Sequence, residues 1–316
     1  MDITAAGAKL PAVSAGLPET TITGDMLDRF LGFCDVAGKS KQTYKKSLRP
    51  FFRWIAARNI ARPSRLDVMA YRDDLRATKK PTTTQAYITA VRLFFRWAAG
   101  EGLYPDIADH IKGAKLDASH KRDAFTAEQV KSILAAARHD RTITGLRNYA
   151  LLTLMFSGGL RTIEASRADV SDLRAKGGRP VLFIQGKGHE EKGEFIKLLP
   201  PVEMAIREYL GARGAKDGEP LFTSTDNNSA HGRRLSTNSI SAIIKRAFIA
   251  AGFNSPRLTA HSTRHTAVTL ALLGGDTLEE ARQFARHKSV QTTLIYAHDL
   301  EREANPSEER IAAMIF

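Results

Sequence analysis

The sequence is poor in cysteine, with Cys34 as its one thiol in 316 residues. A single cysteine forms no intramolecular disulfide, and it cannot supply the ligands of a cysteine-rich zinc site. Long apolar runs are also missing: nowhere do about 18 apolar residues follow one another, and the first residues lack the basic and apolar stretches of a secretion signal. These absences predict a cytoplasmic protein that is neither secreted nor embedded in a membrane.

Acidic residues are fewer than basic ones: the chain contains 34 Asp and Glu but 47 Lys and Arg. Its net charge is therefore +13, and its pI is near 9.9. Such an excess indicates a polyanionic partner, nucleic acid first, with a surface charged only for solubility as the alternative. Residues 1–105 contain 17 of the basic residues and 9 of the acidic ones. We therefore expect a small, strongly basic N-terminal domain and a larger one of mixed chemistry.

Composition and apolar periodicity divide the chain into four segments. Residues 1–20 are mostly small and polar without an apolar period, so we expect a disordered tail. Residues 21–105 predict a helical domain, and the polar, basic residues 106–123 predict an interdomain linker. A second domain is expected over residues 124–316, because Thr126 and Gln129 have the spacing of a capping box at its start.

The second predicted helix has an apolar face and a cationic face. The apolar face repeats at the helical period and consists of Tyr44, Leu48, Phe51, Phe52 and Ile55. The cations follow at steps of four residues and are Lys41, Lys45, Arg49 and Arg53. Such a stripe can follow a phosphate backbone, although a merely solvated face is the alternative. Pro50 lies inside this helix and is expected to kink or split it.

The aromatic pattern of this helix occurs twice. Residues 42–54 return 43 positions later as residues 85–97, with Gln, Tyr and Phe-Phe-Arg-Trp at matching places. We interpret them as two helices of one four-helix domain, with the aromatic rings in its core rather than stacked on bases. Arg92 of the second copy and Lys112 and Lys115 of the linker are further candidates for DNA contact.

In the C-terminal part, a predicted helix end and a predicted hairpin loop each place a basic residue in an irregular segment. A long apolar helix over residues 146–156 runs into Gly158 and Gly159, which predict a tight break that presents Arg161 at a helix start. Residues 181–184 and 194–198 predict the strands of a hairpin, whose loop places Lys187 between two glycines. This loop is not a phosphate-binding P-loop, because a strand rather than a helix follows it.

The last part of the chain contains histidines, arginines and a tyrosine. His261 and Arg264 lie three apart at a predicted helix start and share a face, and Tyr296 follows His287 by nine positions. His261 and His265 could hold zinc, but no third ligand is indicated and Arg264 would place a positive charge beside the metal. Further candidates for DNA contact flank or lie in a helix that starts near residue 236: Arg233, Arg234 and Lys245.

The order of these residues along the chain resembles that of the tyrosine recombinase (phage integrase) family. The order is an Arg after a Gly-Leu turn, a hairpin-loop Lys, His-x-x-Arg and a His nine residues before a Tyr. The resemblance covers residues 23–316 and is closest in kind to Xer-like or mobile-element integrases without an arm-binding domain. It implies a mainly α fold with a small antiparallel β-sheet: an N-terminal four-helix core-binding domain plus a C-terminal α+β catalytic domain. It implies the catalytic set Arg161, Lys187, His261, Arg264, His287 and Tyr296.

The chemistry implied by the resemblance is cleavage and rejoining of DNA through a 3′-phosphotyrosine intermediate and a Holliday junction. Tyr296 is the implied nucleophile, and the forked side chains of Arg161 and Arg264 suit the charge on the reacting phosphate. Lys187 is the implied general acid, with Lys192 and Lys197 as alternatives. The implied roles of the histidines are proton acceptance from the tyrosine by His261 and donation to a phosphate oxygen by His287. No cofactor or metal is expected.

The resemblance also implies partners. These are double-stranded DNA with paired inverted sites and other copies of the chain, joined into a tetramer on two DNA sites through the C-terminal helix, residues 306–316. Packing of that helix on its own core is the alternative. An accessory protein or partner recombinase, and a place in the bacterial cytoplasm at the nucleoid, are expectations of the same kind. Two other functions stay open: a non-catalytic DNA-binding protein of the same fold, and DNA relaxation of the type IB topoisomerase kind.

Overall fold

The computed structural model describes residues 21–115, 123–186, 191–225, 231–303 and 305–316. The expected disordered tail, residues 116–122 of the expected linker and Lys187 lie outside these residues. The chain divides into two compact units, with the division between Ala118 and Ser119. Within the described ranges, no helix combines the length and apolarity that a membrane crossing requires.

The N-terminal unit is built from four helices, α1 Gly24–Phe33, α2 Gly38–Ala57, α3 Arg65–Thr78 and α4 Pro81–Gly100. Helix α3 begins with a capping box, in which Ser64 and Asp67 satisfy each other's backbone N–H groups. Helix α4 begins with Pro81, whose missing N–H costs nothing in the first turn. The four helices agree with the predicted four-helix domain.

Of the two outcomes expected at Pro50, a kink or a split, the split does not occur, because helix α2 runs unbroken through this residue. The apolar residues on both sides of the proline, Leu48, Phe51 and Ile55, are buried against the other helices. Burial of each such side chain is worth about 2 kcal/mol, and together they outweigh the roughly 3 kcal/mol that an internal proline costs. Packing therefore holds the two halves of α2 in one rod.

The repeated aromatic residues form the core of this unit. Phe51 and Phe95 are fully buried, with ring centroids 5.8 Å apart in an edge-to-face contact, and Phe94 lies 5.4 Å from Phe52 in the same kind of contact. These contacts join α2 to α4. The interpretation of the aromatic rings as core residues is confirmed, because rings buried in this way are not available for stacking on bases.

The C-terminal unit packs its helices around α6. The helices are α5 Ala127–Arg138, α6 Ile143–Gly158, α7 Thr162–Arg167, α8 Pro200–Ala212, α9 Thr237–Ala250, α10 Ala260–Leu273, α11 Leu278–Ala285, α12 Val290–Glu303 and α13 Ser307–Ile315. Most side chains of α6 are buried, since α5, α8 and α10 all pack on it. An apolar helix of this kind needs neighbours on every side, so its C-terminal end lies inside the unit.

A small antiparallel sheet completes the C-terminal unit, with β1 Leu173–Lys176, β2 Arg179–Ile184 and β3 Glu194–Lys197 in the order β1-β2-β3. Leu182 of β2 lies opposite Ile196 of β3, and both face the core. The predicted hairpin is confirmed. Strand β1 was not predicted from the sequence, because three of its four residues are exposed and it lacks the apolar alternation that marks a half-buried strand.

Candidate active site

The break after α6 places Arg161 at the start of α7. The helix ends with Gly159 in the left-handed conformation, at a φ of 55°, which glycine adopts without steric cost. A Cβ added at Gly158 would lie 2.5 Å from Leu160 Cδ1, so the end of that side chain would have to shift. The Arg161 side chain is 27% exposed, and its Nη1 donates to Glu164 Oε1 at 2.7 Å.

Arg264 is the most deeply enclosed cation of this group. It lies on α10 with 1% of its surface exposed, and its Nη1 donates to the carbonyl oxygen of Gly159 at 2.6 Å. Its Nη2 donates to the carbonyl oxygen of Ala285 at the end of α11. Burial, followed by the charges of Arg161 and Arg286, lowers the pKa of Arg264 to about 9. The guanidinium therefore stays cationic at neutral pH, with its orientation fixed by two helix ends.

His287 is buried and neutral. It is 6% exposed, and its Nδ1 lies 2.9 Å from Thr293 Oγ1. Burial lowers the pKa of His287 to about 4, and the charges of Arg264 and Arg161 act in the same direction. An uncharged imidazole can donate or accept a hydrogen bond at neutral pH without adding a further positive charge to the site.

Tyr296 of α12 lies between two histidine rings. Its ring centroid is 4.7 Å from that of His265 and 6.1 Å from that of His287, and 4% of the residue is exposed. Burial raises the pKa of the Tyr296 phenol, while Arg264 and Arg161 lower it by a smaller amount. The phenol is therefore protonated at neutral pH, and its use as a nucleophile requires a proton acceptor.

His261 lies in the first turn of α10, on an exposed position three residues before Arg264. It is close enough to His287 for its charge to contribute to the lowered pKa of that group. The structure thus brings together five of the six residues of the catalytic set: Arg161, His261, Arg264, His287 and Tyr296. Within the described parts of the chain, no group of three or more His, Cys, Asp or Glu is arranged to hold a metal.

The sixth residue, Lys187, is outside the described residues, but its neighbour Gly186 lines a pocket of about 440 Å³ together with Arg161 and His287. Lys192 points elsewhere: its Nζ lies 2.6 Å from Asp169 Oδ2 and also pairs with Asp172. Lys197 is exposed on β3. Neither of the two alternative lysines lines this pocket, whereas Lys288 does.

Two further charged residues of the site, Glu164 and Arg286, were not predicted from the sequence. Glu164 is fully buried, and Arg286 Nη2 donates to its Oε2 at 3.1 Å. Burial raises the pKa of Glu164, but Arg286 first and then Arg161 outweigh that effect and hold the pKa below its usual value. The i+3 spacing of Glu164 from Arg161 was a usable signal for one of them, whereas nothing in the sequence shows where the Arg286 side chain points.

The candidate DNA-contact residues of the N-terminal unit differ in exposure. Arg49 and Arg53 of α2 are exposed, and Lys41 is half-buried. Lys45 is 3.4 Å from Asp28 Oδ1. Arg92 is half-buried on α4, and two exposed lysines follow that helix at some distance along the chain, Lys112 and Lys115.

The C-terminal unit contains three candidate DNA-contact residues. One of them is exposed, and the other two donate hydrogen bonds to backbone carbonyl oxygens of the same unit. Arg233 is exposed. Arg234 Nη1 donates to the carbonyl oxygens of Ser166 and Ala168, both at 2.9 Å. Lys245 Nζ donates to the carbonyl oxygen of Ser255 at 2.7 Å. Arg234 and Lys245 therefore hold loops in place, whether or not they also meet a phosphate.

The chain belongs to the phage integrase family. Its residues 123–303 match the model of that family, and residues 17–102 match the model of the phage integrase N-terminal SAM-like domain. The fold expected from the resemblance, a helical N-terminal domain followed by a catalytic domain with a small sheet, is thereby confirmed.

Individual proteins agree with this assignment. The chain is 30% identical over 224 residues to "Tyrosine recombinase XerC" of Chlamydia trachomatis, which is 68% of this chain and 66%, slightly under two thirds, of that relative. Its fold is similar to the XerH site-specific recombinase bound to a palindromic difH substrate, with a TM-score of 0.69, 20% identity and coverage of 85% of this chain and 80% of the other. It is also similar to a lambda integrase tetramer bound to a Holliday junction, with a TM-score of 0.68, 18% identity and coverage of 88% and 78%.

Proposed function

We propose that the protein is a site-specific DNA recombinase that cleaves and rejoins strands through a 3′-phosphotyrosine intermediate. The observation that carries this proposal is the position of Tyr296, a buried phenol whose protonation is influenced by both Arg264 and Arg161. A tyrosine that only stabilises the core has no need of two cations close enough to lower its pKa. The family membership and the named relatives support the same reaction.

In the proposed step, the Tyr296 oxygen attacks the scissile phosphorus as its proton passes to a base, for which His261 is the candidate. A bond forms between that oxygen and phosphorus, and the bond from phosphorus to the 5′ oxygen breaks. Arg161 and Arg264 balance the extra negative charge on the non-bridging oxygens. His287 donates a hydrogen bond to one of them, and Lys187 gives its proton to the departing 5′ oxygen. Attack by a 5′ hydroxyl reverses the sequence and rejoins the DNA.

The proposed DNA contacts belong to both units. The exposed cations of α2, Arg49 and Arg53, and the exposed Arg233 of the C-terminal unit are the first candidates for the phosphate backbone. The partner is double-stranded DNA with paired inverted sites, consistent with the palindromic substrate of the XerH structure. If its DNA sites lie on a bacterial chromosome or mobile element, the protein acts in the cytoplasm at the nucleoid. An accessory protein or second recombinase is a further proposed partner.

Self-association through α13 is part of the proposal. None of its residues is buried on its own unit, and four apolar side chains of this helix and of the residue that follows it are 55–103% exposed: Ile311, Met314, Ile315 and Phe316. The C-terminal unit also has a groove of about 870 Å³ lined in part by Phe125, Leu270 and Leu273. We assign this groove to the α13 of a second copy, because the exposed apolar side chains of that helix and the apolar part of the groove lining can cover each other between copies.

The test of the reaction is covalent capture on DNA. The full chain is incubated with nicked suicide duplexes, drawn from the DNA that flanks its gene and from a library of randomised sequence, and attached DNA is recovered from a denaturing gel. We expect a covalent product with the wild type and none with Tyr296→Phe. Tyr149→Phe is the matched control, because it removes a hydroxyl from a half-buried tyrosine of the same unit and should retain the product.

Other results contradict the proposal. DNA binding without any covalent product indicates the non-catalytic alternative. A covalent product accompanied by relaxation of plasmids, but with no exchange between paired sites, indicates the topoisomerase alternative.

A further inference from the structure

Arg286 has a backbone conformation that an arginine seldom adopts. It follows the last residue of α11 with a φ of 54°, in the left-handed region where a non-glycine side chain is strained. Such strain persists where the surrounding structure gains from it. We therefore expect this conformation and this side chain to hold neighbouring groups in place.

The Arg286 guanidinium is directed inward and bridges two parts of the site. It is 8% exposed, and its Nη2 donates to the carbonyl oxygen of Gly159 at 3.1 Å and to Glu164 Oε2 at the same distance. Its Nη1 donates to the carbonyl oxygen of Phe284 at 2.9 Å. The end of α6, the buried carboxylate of α7 and the end of α11 are thereby joined by one side chain.

Arg161 is attached to the same groups. Its Nη1 donates to Glu164 Oε1, the other oxygen of the carboxylate that Arg286 binds, at 2.7 Å. Its Nη2 lies 3.4 Å from the carbonyl oxygen of Arg286 itself. The left-handed turn at Arg286 therefore directs a carbonyl oxygen at one end of the Arg161 fork, and the Arg286 side chain holds the carboxylate at the other end.

We propose that Arg286 is a positioning residue for the recombination reaction, which holds the Arg161 guanidinium in the orientation that receives the scissile phosphate. Its guanidinium binds the same Glu164 carboxylate as Arg161, and its carbonyl oxygen faces the Arg161 fork, so its proposed action is through Arg161. This inference rests on the proposed function, since it gives Arg161 a phosphate to bind. It predicts that the planar fork of Arg286 matters and that a positive charge at this position is not sufficient.

The first test compares cleavage rates on a duplex that the wild type captures, measured in single turnovers with saturating protein. The variants are Arg286→Gly, which suits the left-handed backbone, and Arg286→Lys, which keeps the charge but not the fork. We expect both to cleave at least about 10-fold more slowly than the wild type, because small displacements of a phosphate-binding group cost rate steeply. Arg207→Ala, which removes an exposed cation of α8, is the control for loss of charge and should keep the wild-type rate.

A second substrate separates positioning of Arg161 from general damage to the site. A methylphosphonate at the scissile position lacks the negative charge of the phosphate, so less charge remains for Arg161 to balance. The variants should therefore be closer to the wild type on this substrate than on the phosphate. Equal losses on both substrates, or a full wild-type rate for Arg286→Lys, would overturn the inference.

The last arm does not depend on catalysis. In a crystal structure of Arg286→Gly, we expect the Arg161 guanidinium to have left its position against Glu164. An Arg161 side chain that keeps that position overturns the inference. If the wild type captures no DNA, the proposed function fails, while this structure still decides whether Arg286 holds Arg161.

Discussion

At the residue scale, His287 links the stability of the C-terminal unit to pH. Burial lowers its pKa to about 4, below the 6.5 of an unperturbed histidine. Between these values the unfolded chain binds more protons than the folded one, so the free energy of unfolding rises with pH. The stabilisation is fully present above about pH 6.5 and is lost as the pH falls toward 4, with a total change of about 3 kcal/mol.

Urea unfolding of the wild type and of His287→Gln, at pH values from about 7.5 to about 4.5, measures this dependence of the free energy of unfolding on pH. Glutamine can still bond Thr293 but does not titrate in this range. We expect the difference between the two proteins to shrink as the pH falls. Parallel curves would show that His287 is not the group responsible.

The residues of the site were predictable in unequal measure. The sequence predicted one site that contains Arg161, Arg264 and Tyr296. Both the order of the motifs, which resembles that of a known family, and the spacing of residues on helices constrain these positions. Arg286 could not, since its role depends on a left-handed backbone and on a side chain that turns back toward α6. Sequence spacing predicts the face of a helix, but it does not predict the direction of a side chain at a helix end.

At the scale of elements, the end of α6 connects stability to the site, because the Gly159 carbonyl oxygen holds Arg264. We expect Gly159→Ala to lower the free energy of unfolding by about 1–2 kcal/mol through left-handed strain. Its Cβ would also lie 3.2 Å from the Phe284 ring. The same change should slow single-turnover cleavage.

Gly177 offers a matched control in the turn between β1 and β2. Its φ of 57° is almost that of Gly159, but nothing lies within 4 Å of an added Cβ. Urea unfolding should show a similar strain cost for Gly177→Ala, while its cleavage rate stays at the wild-type value. If both variants cleave equally fast, the end of α6 does not control the orientation of Arg264.

Elements with regular periodicity were predicted well, and elements fixed by packing were not. The burial of the aromatic faces of α2 and α4 and the β2–β3 hairpin agree with the sequence analysis. The continuity of α2 through Pro50 and the presence of β1 depend on neighbours that are distant in sequence, so local propensity gave the wrong result for the first and no signal for the second.

At the scale of the whole molecule, α13 is expected to serve assembly and not folding. Removal of residues 305–316 breaks the exposed ion pair between Arg302 and Glu308, and within the described parts of the chain none of the removed helix residues is buried. We expect the free energy of unfolding to change by less than about 0.5 kcal/mol. Cleavage of a single site should persist, whereas exchange between paired sites should be lost.

Analytical ultracentrifugation on DNA with two sites measures the assembly directly. As a control, Ile311→Asp with Met314→Asp keeps the length of the chain and makes the exposed face polar. Both changes should prevent the larger complex. A truncated chain that still assembles and exchanges strands would show that other surfaces hold the copies together.

The attachment of Arg264 to the ends of α6 and α11 has a thermodynamic consequence. A free arginine side chain carries about 2 kcal/mol of rotamer entropy. Here that entropy is lost when the chain folds, because two carbonyl oxygens fix the guanidinium in the absence of DNA. In the proposed reaction, an arriving phosphate would not have to order this side chain, so more of the free energy of DNA binding would remain for bringing the scissile bond into line with the tyrosine oxygen.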